Sequence, residues 1–432
     1  MTTPAAPGPQ EQAWRARARR VIPGGIYGHE SIRLLPAAFP QFFSRAEGAH
    51  LWDADGRRLL DLMCAYGPNL LGYRHPAVEA AAAAQQALGD TMTGPSPRIV
   101  ELAEVLVERV AHADWALFCK NGTDATTVAV TVARARTGRR VVLVAQGAYH
   151  GSAPWCTPGP AGVPAEARAH LLRFTYNDTA SLEAAAAQAG DDLAAVLLAP
   201  IKHDAFVDQA AVDPGFARAA RALCDARGAL LILDEVRTGF RLARGGSWEA
   251  LGVAPDLSCW GKALGNGHPV SALLGTAACE AAATSVYATG SFWFSAVPMA
   301  AALATLQVLD DTDVPARLQA LGERLRQGWD AAARRHGWRL KQTGPVQMPQ
   351  VLFDGDPDFR IGFGWAEAML ARGVYVHPWH NMFLNAAMTE ADIDAAVAAA
   401  DDALAELQRR REALVPHPVV VQRLQAAGVL PR

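Results

Sequence analysis

Short apolar runs and amphipathic helical segments alternate through the middle of the chain. The apolar runs have the length of buried strands and occupy residues 115–120, 141–145, 193–201, 230–233 and 257–260. Apolar residues at helical spacing mark the segments 77–88, 99–111 and 214–227. This alternation is typical of a mainly parallel sheet covered by helices on both faces, so the pattern predicts an α/β fold.

A different pattern lies on both sides of this central region. Residues 42–63 alternate apolar and polar positions around Asp55 and Gly56, which predicts a β-meander with a hairpin turn. Nearer the other end, helical patterns at 315–335, 359–371 and 389–409 flank short strand-like runs at 351–353 and 374–377. We therefore expect a large domain over residues 76–310 and a small α+β domain formed by residues 1–75 and 311–432.

The composition narrows the class of protein. Of 432 residues, 51% are hydrophobic, which is ample for a large core, and the net charge of −3 favours neither a nucleic-acid nor a membrane partner. The six cysteines are scattered without a CxxC or Cys/His cluster, so neither a metal site nor a disulfide framework is expected. No signal peptide is visible, and no apolar run is long enough to span a membrane. The sequence predicts a cytoplasmic protein.

An acid and a lysine stand at the ends of two of the buried strands. Asp234 ends the run at 230–233, and Lys262 follows the run at 257–260, just before the tight turn at 265–267. In open α/β sheets ligands bind where strands end, so the two side chains are expected to share one site. The glycines of that turn precede no G-x-x-G helix start, so they do not form a dinucleotide-binding motif.

Three motifs around this pair carry a resemblance to a known family. They read DEVRTGFR from Asp234, LGVAPDL from Leu251 and GKALGNGHPVSALLG from Gly261. The chain resembles the class III, fold-type I aminotransferases that use pyridoxal phosphate (PLP), most closely the glutamate-1-semialdehyde aminomutase branch. The resemblance implies a fold-type I PLP transferase in which Lys262 forms the Schiff base and Asp234 pairs with the pyridine nitrogen. A carboxylate is suited to that task because PLP acts as an electron sink only when its ring nitrogen stays protonated.

A turn that leads into a helix carries the expected phosphate site. The run at 115–120 is followed by Asn121, Gly122 and Thr123 and then by a helical segment. Free N–H groups and the helix dipole attract an anion at such a place. The family has a closely similar turn that binds the PLP phosphate, so the resemblance assigns Gly122 and Thr123 to this group.

The resemblance extends to the walls of the cofactor site. Tyr149 matches the aromatic residue that stacks on the pyridine ring, with His150 beside it, and Val236 matches the apolar residue on the other face. Asp204 falls where the aminomutase branch has an amide that hydrogen-bonds the ring hydroxyl. Ser291 matches in kind a threonine that reaches the PLP phosphate of the partner subunit, which implies a homodimer with shared active sites.

Aromatic and histidine side chains are the candidates for substrate contacts. Tyr66 lies in a segment that lines the active site in the aminomutase branch, where the pattern is aromatic-Gly-Pro. His380 lies in a loop of the C-terminal part of the chain, beside Trp379. Trp293 and Trp379 are further candidates.

Several activities stay open within this family. An aminotransferase moves an amino group from a small-molecule amine donor to a carbonyl acceptor, whereas an aminomutase moves it within one molecule, and a racemase or epimerase is a third alternative. Ser31 stands where the aminomutase has a carboxylate-binding arginine, and Arg33 reaches that position only with a two-residue shift. The loop at 377–380 also lacks an arginine, and both departures favour the aminotransferase. The presence of Lys262 and Asp234 argues against a non-catalytic protein.

Overall fold

The computed structural model describes residues 7–159, 161–426, 430 and 431. Its strands are β1 (Phe43–Glu47), β2 (His50–Asp53), β3 (Arg58–Asp61), β4 (Trp115–Cys119), β5 (Val141–Ala145), β6 (Leu171–Phe174), β7 (Leu193–Leu198), β8 (Ile201–Lys202), β9 (Ala210–Ala211), β10 (Leu230–Asp234), β11 (Leu257–Trp260), β12 (Ser271–Gly275), β13 (Leu340–Thr343), β14 (Gln350–Phe353) and β15 (Val374–Tyr375). Its α-helices are α1 (Pro9–Val21), α2 (Pro76–Leu88), α3 (Arg98–Arg109), α4 (Gly122–Thr137), α5 (Thr179–Ala189), α6 (Pro214–Arg227), α7 (Ala277–Ser285), α8 (Ala296–Asp311), α9 (Val314–Arg335), α10 (Arg360–Ala371), α11 (Glu390–Arg409) and α12 (Pro418–Ala426).

The central sheet has, within the described residues, seven strands in the order β4-β12-β11-β10-β7-β5-β6. The five strands from β11 to β6 run parallel to one another, whereas β12 is antiparallel to both of its neighbours. The predicted α/β fold with a mainly parallel sheet is therefore confirmed. The apolar pattern did not reveal β6 and β12, and the run predicted at 193–201 divides into β7 and β8.

Helices cover both faces of this sheet. Helices α4 and α7 pack on one face, and α5 and α6 pack on the other, each through a separate cluster of buried apolar side chains. Strands β7, β10 and β11 lie at the centre and are buried along their whole length. Burial on both faces explains why these strands appear in the sequence as continuous apolar runs. No helix within the described ranges is long and apolar enough to cross a bilayer.

Local signals explain where the helices next to the sheet begin and end. Helix α4 starts with a capping box, in which the Asn121 side chain accepts a hydrogen bond from the Asp124 N–H group at 3.0 Å. Helix α6 starts after Asp213, whose carboxylate accepts from the Phe216 N–H group at 2.9 Å. It ends at Gly228, where φ is 60°, a conformation that favours glycine.

A second sheet joins the two ends of the chain. Its strand order is β1-β2-β3-β15, and β15 pairs in parallel with β3, so that Val374 lies beside Leu60. Helices α9, α10 and α11 pack together beside it, with Trp329 and Trp365 buried in a T-shaped contact at 5.3 Å. The domain boundaries at residues 75 and 310 stay a prediction.

Candidate active site

A cavity of about 520 Å³ opens at the carboxyl ends of β10 and β11. Asp234, the last residue of β10, and Lys262, two residues beyond β11, both line it. The two strands are parallel neighbours, and Asp234 lies beside Cys259 in their register. Because the carboxyl ends of neighbouring parallel strands meet at one edge of a sheet, the structure brings the acid and the lysine together.

The N-terminus of α4 forms one end of this cavity. Gly122 and Thr123 are its first two residues, and both line the cavity. A Cβ atom on Gly122 would lie 2.7 Å from Cγ1 of Val236, so the close approach of these two segments requires glycine. The Thr123 hydroxyl accepts a hydrogen bond from the Ser152 N–H group at 3.1 Å. The free N–H groups of the first turn and the helix dipole favour an anion here.

Asp234 is oriented by a buried hydrogen bond to a histidine. Its Oδ2 lies 2.8 Å from Nδ1 of His150, and both side chains are buried. Its Oδ1 accepts from the Val236 N–H group at 3.1 Å. Because a carboxylate only accepts hydrogen bonds, Nδ1 of His150 carries the proton. The Thr126 hydroxyl donates to the His150 carbonyl at 2.7 Å and so fixes the histidine backbone.

Lys262 occupies a strained position with a lowered pKa. Its φ is 46°, in the left-handed region that side chains other than glycine adopt rarely. Burial, and after it the positive charge of Arg237, lower the pKa of its amine to about 8, whereas Asp234 opposes the shift. A substantial fraction of the amine is therefore neutral near physiological pH, as a nucleophilic lysine requires.

Aromatic and apolar side chains form further walls of the cavity. Tyr149 and His150 follow β5 and line the cavity, and 39% of the Tyr149 side chain stays exposed. Val236 follows Asp234 by two residues and also lines the cavity. An aromatic ring and an apolar side chain are suited to hold a flat ring between them.

The segment after β8 departs from the arrangement that the resemblance implied. His203 lines the cavity and is buried, and its Nδ1 atom has no hydrogen-bond partner among the described residues. Asp204 does not line the cavity in the described part of the chain. Its carboxylate lies instead against Gly147, 2.6 Å from where a Cβ atom on that glycine would be. Burial lowers the pKa of His203 well below its usual value, so this imidazole is neutral.

Tyr66, Trp379 and His380, which the sequence suggested as substrate contacts, lie beside the cavity but are not among the residues that line it. The ring of Tyr66 contacts His29 edge-on at 4.6 Å and His380 edge-on at 5.5 Å, and its hydroxyl donates to the His29 carbonyl at 3.2 Å. Trp379 stacks on Phe206 at 4.2 Å. Together these residues form a surface rich in histidine and aromatic rings next to the cavity.

Ser291 lies in an exposed turn and does not line the cavity formed by the described residues of one chain. Trp293 packs partly into the core beside α4 and α7. The neighbouring Phe292 and Tyr287 are 63% and 92% exposed. A single chain therefore leaves large aromatic side chains uncovered around the turn that contains Ser291.

The sequence motifs did not single out two residues that line the cavity, His203 and Arg237. His203 directly precedes Asp204, the residue that the resemblance indicated. Arg237 stands within the DEVRTGFR motif, three positions after Asp234, and it lines the cavity. The signal in the sequence was a cation inside this motif, close to the acid that ends a buried strand.

These features fit PLP. The start of α4 offers N–H groups to a phosphate, Asp234 offers a buried carboxylate to a ring nitrogen, and Lys262 offers an amine of lowered pKa to an aldehyde. An open sheet with this acid and this lysine at adjacent strand ends defines a fold-type I PLP transferase.

Comparison with known proteins gives the same class. The model of the aminotransferase class-III family matches residues 36–387, and the chain belongs to this family. An aminopentol aminotransferase of Sphingopyxis macrogoltabida is 56% identical over 96% of this chain and 99% of its own. A glutamate-1-semialdehyde 2,1-aminomutase of Desulforapulum autotrophicum is 33% identical over 92% of this chain and 99% of its own. The protein is therefore a PLP-dependent aminotransferase, which transfers an amino group from an amine donor to a carbonyl acceptor.

Solved structures agree with this assignment. The PLP internal aldimine form of the FumI protein of Sphingopyxis sp. MTA144 has a TM-score of 0.95 and 56% identity, and covers 96% of this chain and 100% of that protein. An omega-transaminase of Sphaerobacter thermophilus has a TM-score of 0.84 and 29% identity, over 93% and 98% of the two chains. The predictions of a class III, PLP-dependent aminotransferase and of PLP as cofactor are confirmed.

Proposed function

We propose that Lys262 binds the cofactor aldehyde covalently and that Asp234 holds a proton on the cofactor's ring nitrogen. The observation that carries this proposal is the meeting of a buried carboxylate and an amine of pKa about 8 in one cavity. Gly122 and Thr123 would bind the phosphate, and Tyr149 and Val236 would enclose the ring. When bound, PLP supplies an electron sink that stabilises negative charge on the donor carbon.

The proton movements fall to Lys262 in this proposal. The donor amine would displace the Lys262 amine from its bond to the cofactor. The freed Nζ of Lys262 would then remove the proton from the donor carbon. Water supplies the oxygen when the C–N bond of the donor is replaced by C=O, and the amino group together with two electrons from the donor carbon would be held by the cofactor until the acceptor arrives. In the second half-reaction the acceptor C=O is replaced by C–N, its carbon gains the two electrons, and Nζ returns a proton to it. Asp234 and His150 stay in place, because their mutual hydrogen bond fixes both side chains.

We propose that the amine donor is a hydroxylated amine. The relative at 56% identity is an aminopentol aminotransferase, and its name states an amine with five hydroxyl groups. The surface beside the cavity offers matching chemistry, because Tyr66, His29 and His380 present hydroxyl and imidazole groups around one another. Such groups can exchange hydrogen bonds with donor hydroxyls, whereas an alkyl chain would leave them unpaired.

The donor proposal is tested by titrating the PLP-loaded enzyme with single amines and no acceptor. A long-chain amino polyol is expected to bleach the visible band of the bound cofactor at least about tenfold faster than the alkyl amine of equal length. The matching ketone is identified by mass spectrometry. Glutamate serves as the comparison donor, and a preference for glutamate over both amines would contradict the proposal.

We also propose a homodimer in which Ser291 of one subunit contributes to the phosphate site of the other. The exposed Phe292 and Tyr287 beside Ser291 support this arrangement, because large exposed aromatic patches mark interfaces.

Phe292→Glu is expected to shift the protein towards the monomer in sedimentation equilibrium and to weaken PLP binding. Val415→Glu, a charge at another exposed apolar position, is the control. A monomeric unaltered enzyme with full PLP affinity would exclude shared sites.

A cytoplasmic location is part of the same proposal. All six cysteines are free thiols, and five of them are buried. Buried unpaired thiols are typical of a reducing compartment.

A further inference from the structure

Arg237 is a cation of the active-site cavity that has no counter-ion in contact. It follows β10 and lines the cavity, and no carboxylate lies within 4.0 Å of its guanidinium among the described residues. Burial lowers the pKa of its guanidinium to about 10, and the opposing effects of Asp234, Tyr149 and Asp204 do not outweigh it. Arg237 is half-buried, and a partly desolvated charge without a partner is costly, so this position is suited to an anion that enters the cavity.

Neutral oxygens hold the guanidinium in place. Its Nη1 donates to Oδ1 of Asn381 at 2.5 Å and to the His203 carbonyl at 3.5 Å. Asn381 is buried and is itself fixed by a hydrogen bond from Nδ2 to the Met382 carbonyl at 3.0 Å. These contacts orient Arg237 without neutralising it. Its Nε and Nη2 have no hydrogen-bond partner in the described part of the chain, and they form the edge that binds a carboxylate through two parallel bonds.

The other cations of this region are suited less well to a substrate. Lys120 also lines the cavity, but it precedes the turn at the start of α4, and Asp90 is the charge that acts on it most strongly. Arg241 donates to the carbonyl groups of Leu384 and Gly67 and does not line the described cavity. Among the cations, Arg237 is the one whose charge lowers the pKa of Lys262 most.

We propose that Arg237 binds the carboxylate of the carbonyl acceptor and thereby makes the enzyme selective for 2-oxo acids over aldehydes. This inference rests on the proposed function and specifies its acceptor. It also explains how a site for a hydroxylated amine can serve a second substrate of different charge. The donor, which carries no carboxylate, would meet the histidine and aromatic surface beside Tyr66, and the anionic acceptor would meet Arg237.

The test compares two acceptors that differ only in the carboxylate, 2-oxobutanoate and propanal. Enzyme reconstituted with pyridoxamine phosphate is mixed with each acceptor, and the return of the visible band is followed. Arg237→Gln is expected to lower the second-order rate constant for 2-oxobutanoate by roughly 100-fold, and that for propanal by less than about threefold. Arg244→Gln removes an exposed arginine seven positions further along and is the control. It is expected to leave the ratio of the two rate constants unchanged.

A binding measurement makes the test independent of turnover. The dissociation constant of butanoate, an unreactive carboxylate, is measured by calorimetry on the PLP-loaded enzyme and is expected to rise in Arg237→Gln in parallel with the rate effect. Arg237→Lys keeps a point charge but loses the two-bond edge, and an intermediate acceptor ratio is expected. If Arg237→Gln is unstable, the ratio for Arg237→Lys decides the question.

Three results would overturn the proposal. An equal loss for both acceptors with weaker cofactor binding would show that Arg237 contacts the cofactor, and no loss for either would show that it contacts neither. A wild-type enzyme that does not prefer 2-oxobutanoate would also exclude the role. Because reconstitution with pyridoxamine phosphate bypasses the donor, failure of the hydroxylated-amine proposal leaves this test unaffected.

Discussion

Replacing Lys262 with alanine is expected to lower amine transfer by about 10⁴-fold, because the variant loses the group that moves the proton at the reacting carbon. The covalent attachment of PLP is lost as well, so the visible absorbance of the protein should change to that of noncovalently held cofactor. Both effects are measured on one sample, by absorbance and by single-turnover formation of the ketone product. Lys341→Ala, at an exposed lysine of β13, provides the control for the loss of a positive charge.

The lowered pKa of Lys262 also predicts how cofactor capture depends on pH. Only the neutral amine attacks an aldehyde, and its pKa of about 8 lies below the usual 10.5. The second-order rate of PLP capture by the apoenzyme should therefore rise about tenfold per pH unit below 8 and level off above it. In Arg237→Gln the plateau should begin at higher pH, because a positive charge that lowers this pKa is gone. A Lys262→Ala protein that forms the same visible band, or a wild-type profile that still rises at pH 10, would exclude Lys262 as the amine.

The sequence predicted those parts of the site that local signals specify. Continuous apolar runs mark central strands because both faces are buried, and Asp234 and Lys262 were found at their ends for that reason. The start of α4 was predictable from its turn, since Asn121 and Asp124 form a capping box directly before Gly122 and Thr123 take their places. In each case the residues that fix the geometry are neighbours in sequence.

Contacts between distant segments were not predictable in the same way. His203 lines the cavity while Asp204 lies against Gly147, and this difference of one position depends on how the irregular segment after β8 packs. The orientation of the Arg237 guanidinium depends on its hydrogen bond to Asn381, which is far away in sequence. Strand β12 is antiparallel in a mainly parallel sheet, which its apolar residues do not encode. The role of Ser291 concerns a second chain, so it stays a prediction together with the domain boundaries.

The adjacent acids Asp234 and Glu235 allow function and stability to be separated. Asp234 faces the cavity, whereas Glu235 is buried on another side and accepts hydrogen bonds from Ser247 and Thr238 at 2.6 to 2.7 Å. Asp234→Asn keeps an oxygen for His150 but loses the charge that holds a proton on the ring nitrogen. We expect it to lower the rate of amine transfer by about 10³-fold and the free energy of unfolding by no more than about 1 kcal/mol, because its NH₂ group displaces only the hydrogen bond from the Val236 N–H group.

Glu235→Gln is expected to have the opposite effect. Its new NH₂ group would face donors of Ser247, so the folded state should lose about 2 kcal/mol of stability. The rate per bound cofactor should stay close to that of the unaltered enzyme, because Glu235 does not line the described cavity. Urea denaturation and single-turnover rates on both variants test this contrast. An Asp234→Asn protein of normal rate would exclude the proposed role of Asp234, and equal effects of the two substitutions on both quantities would show that they act through folding alone.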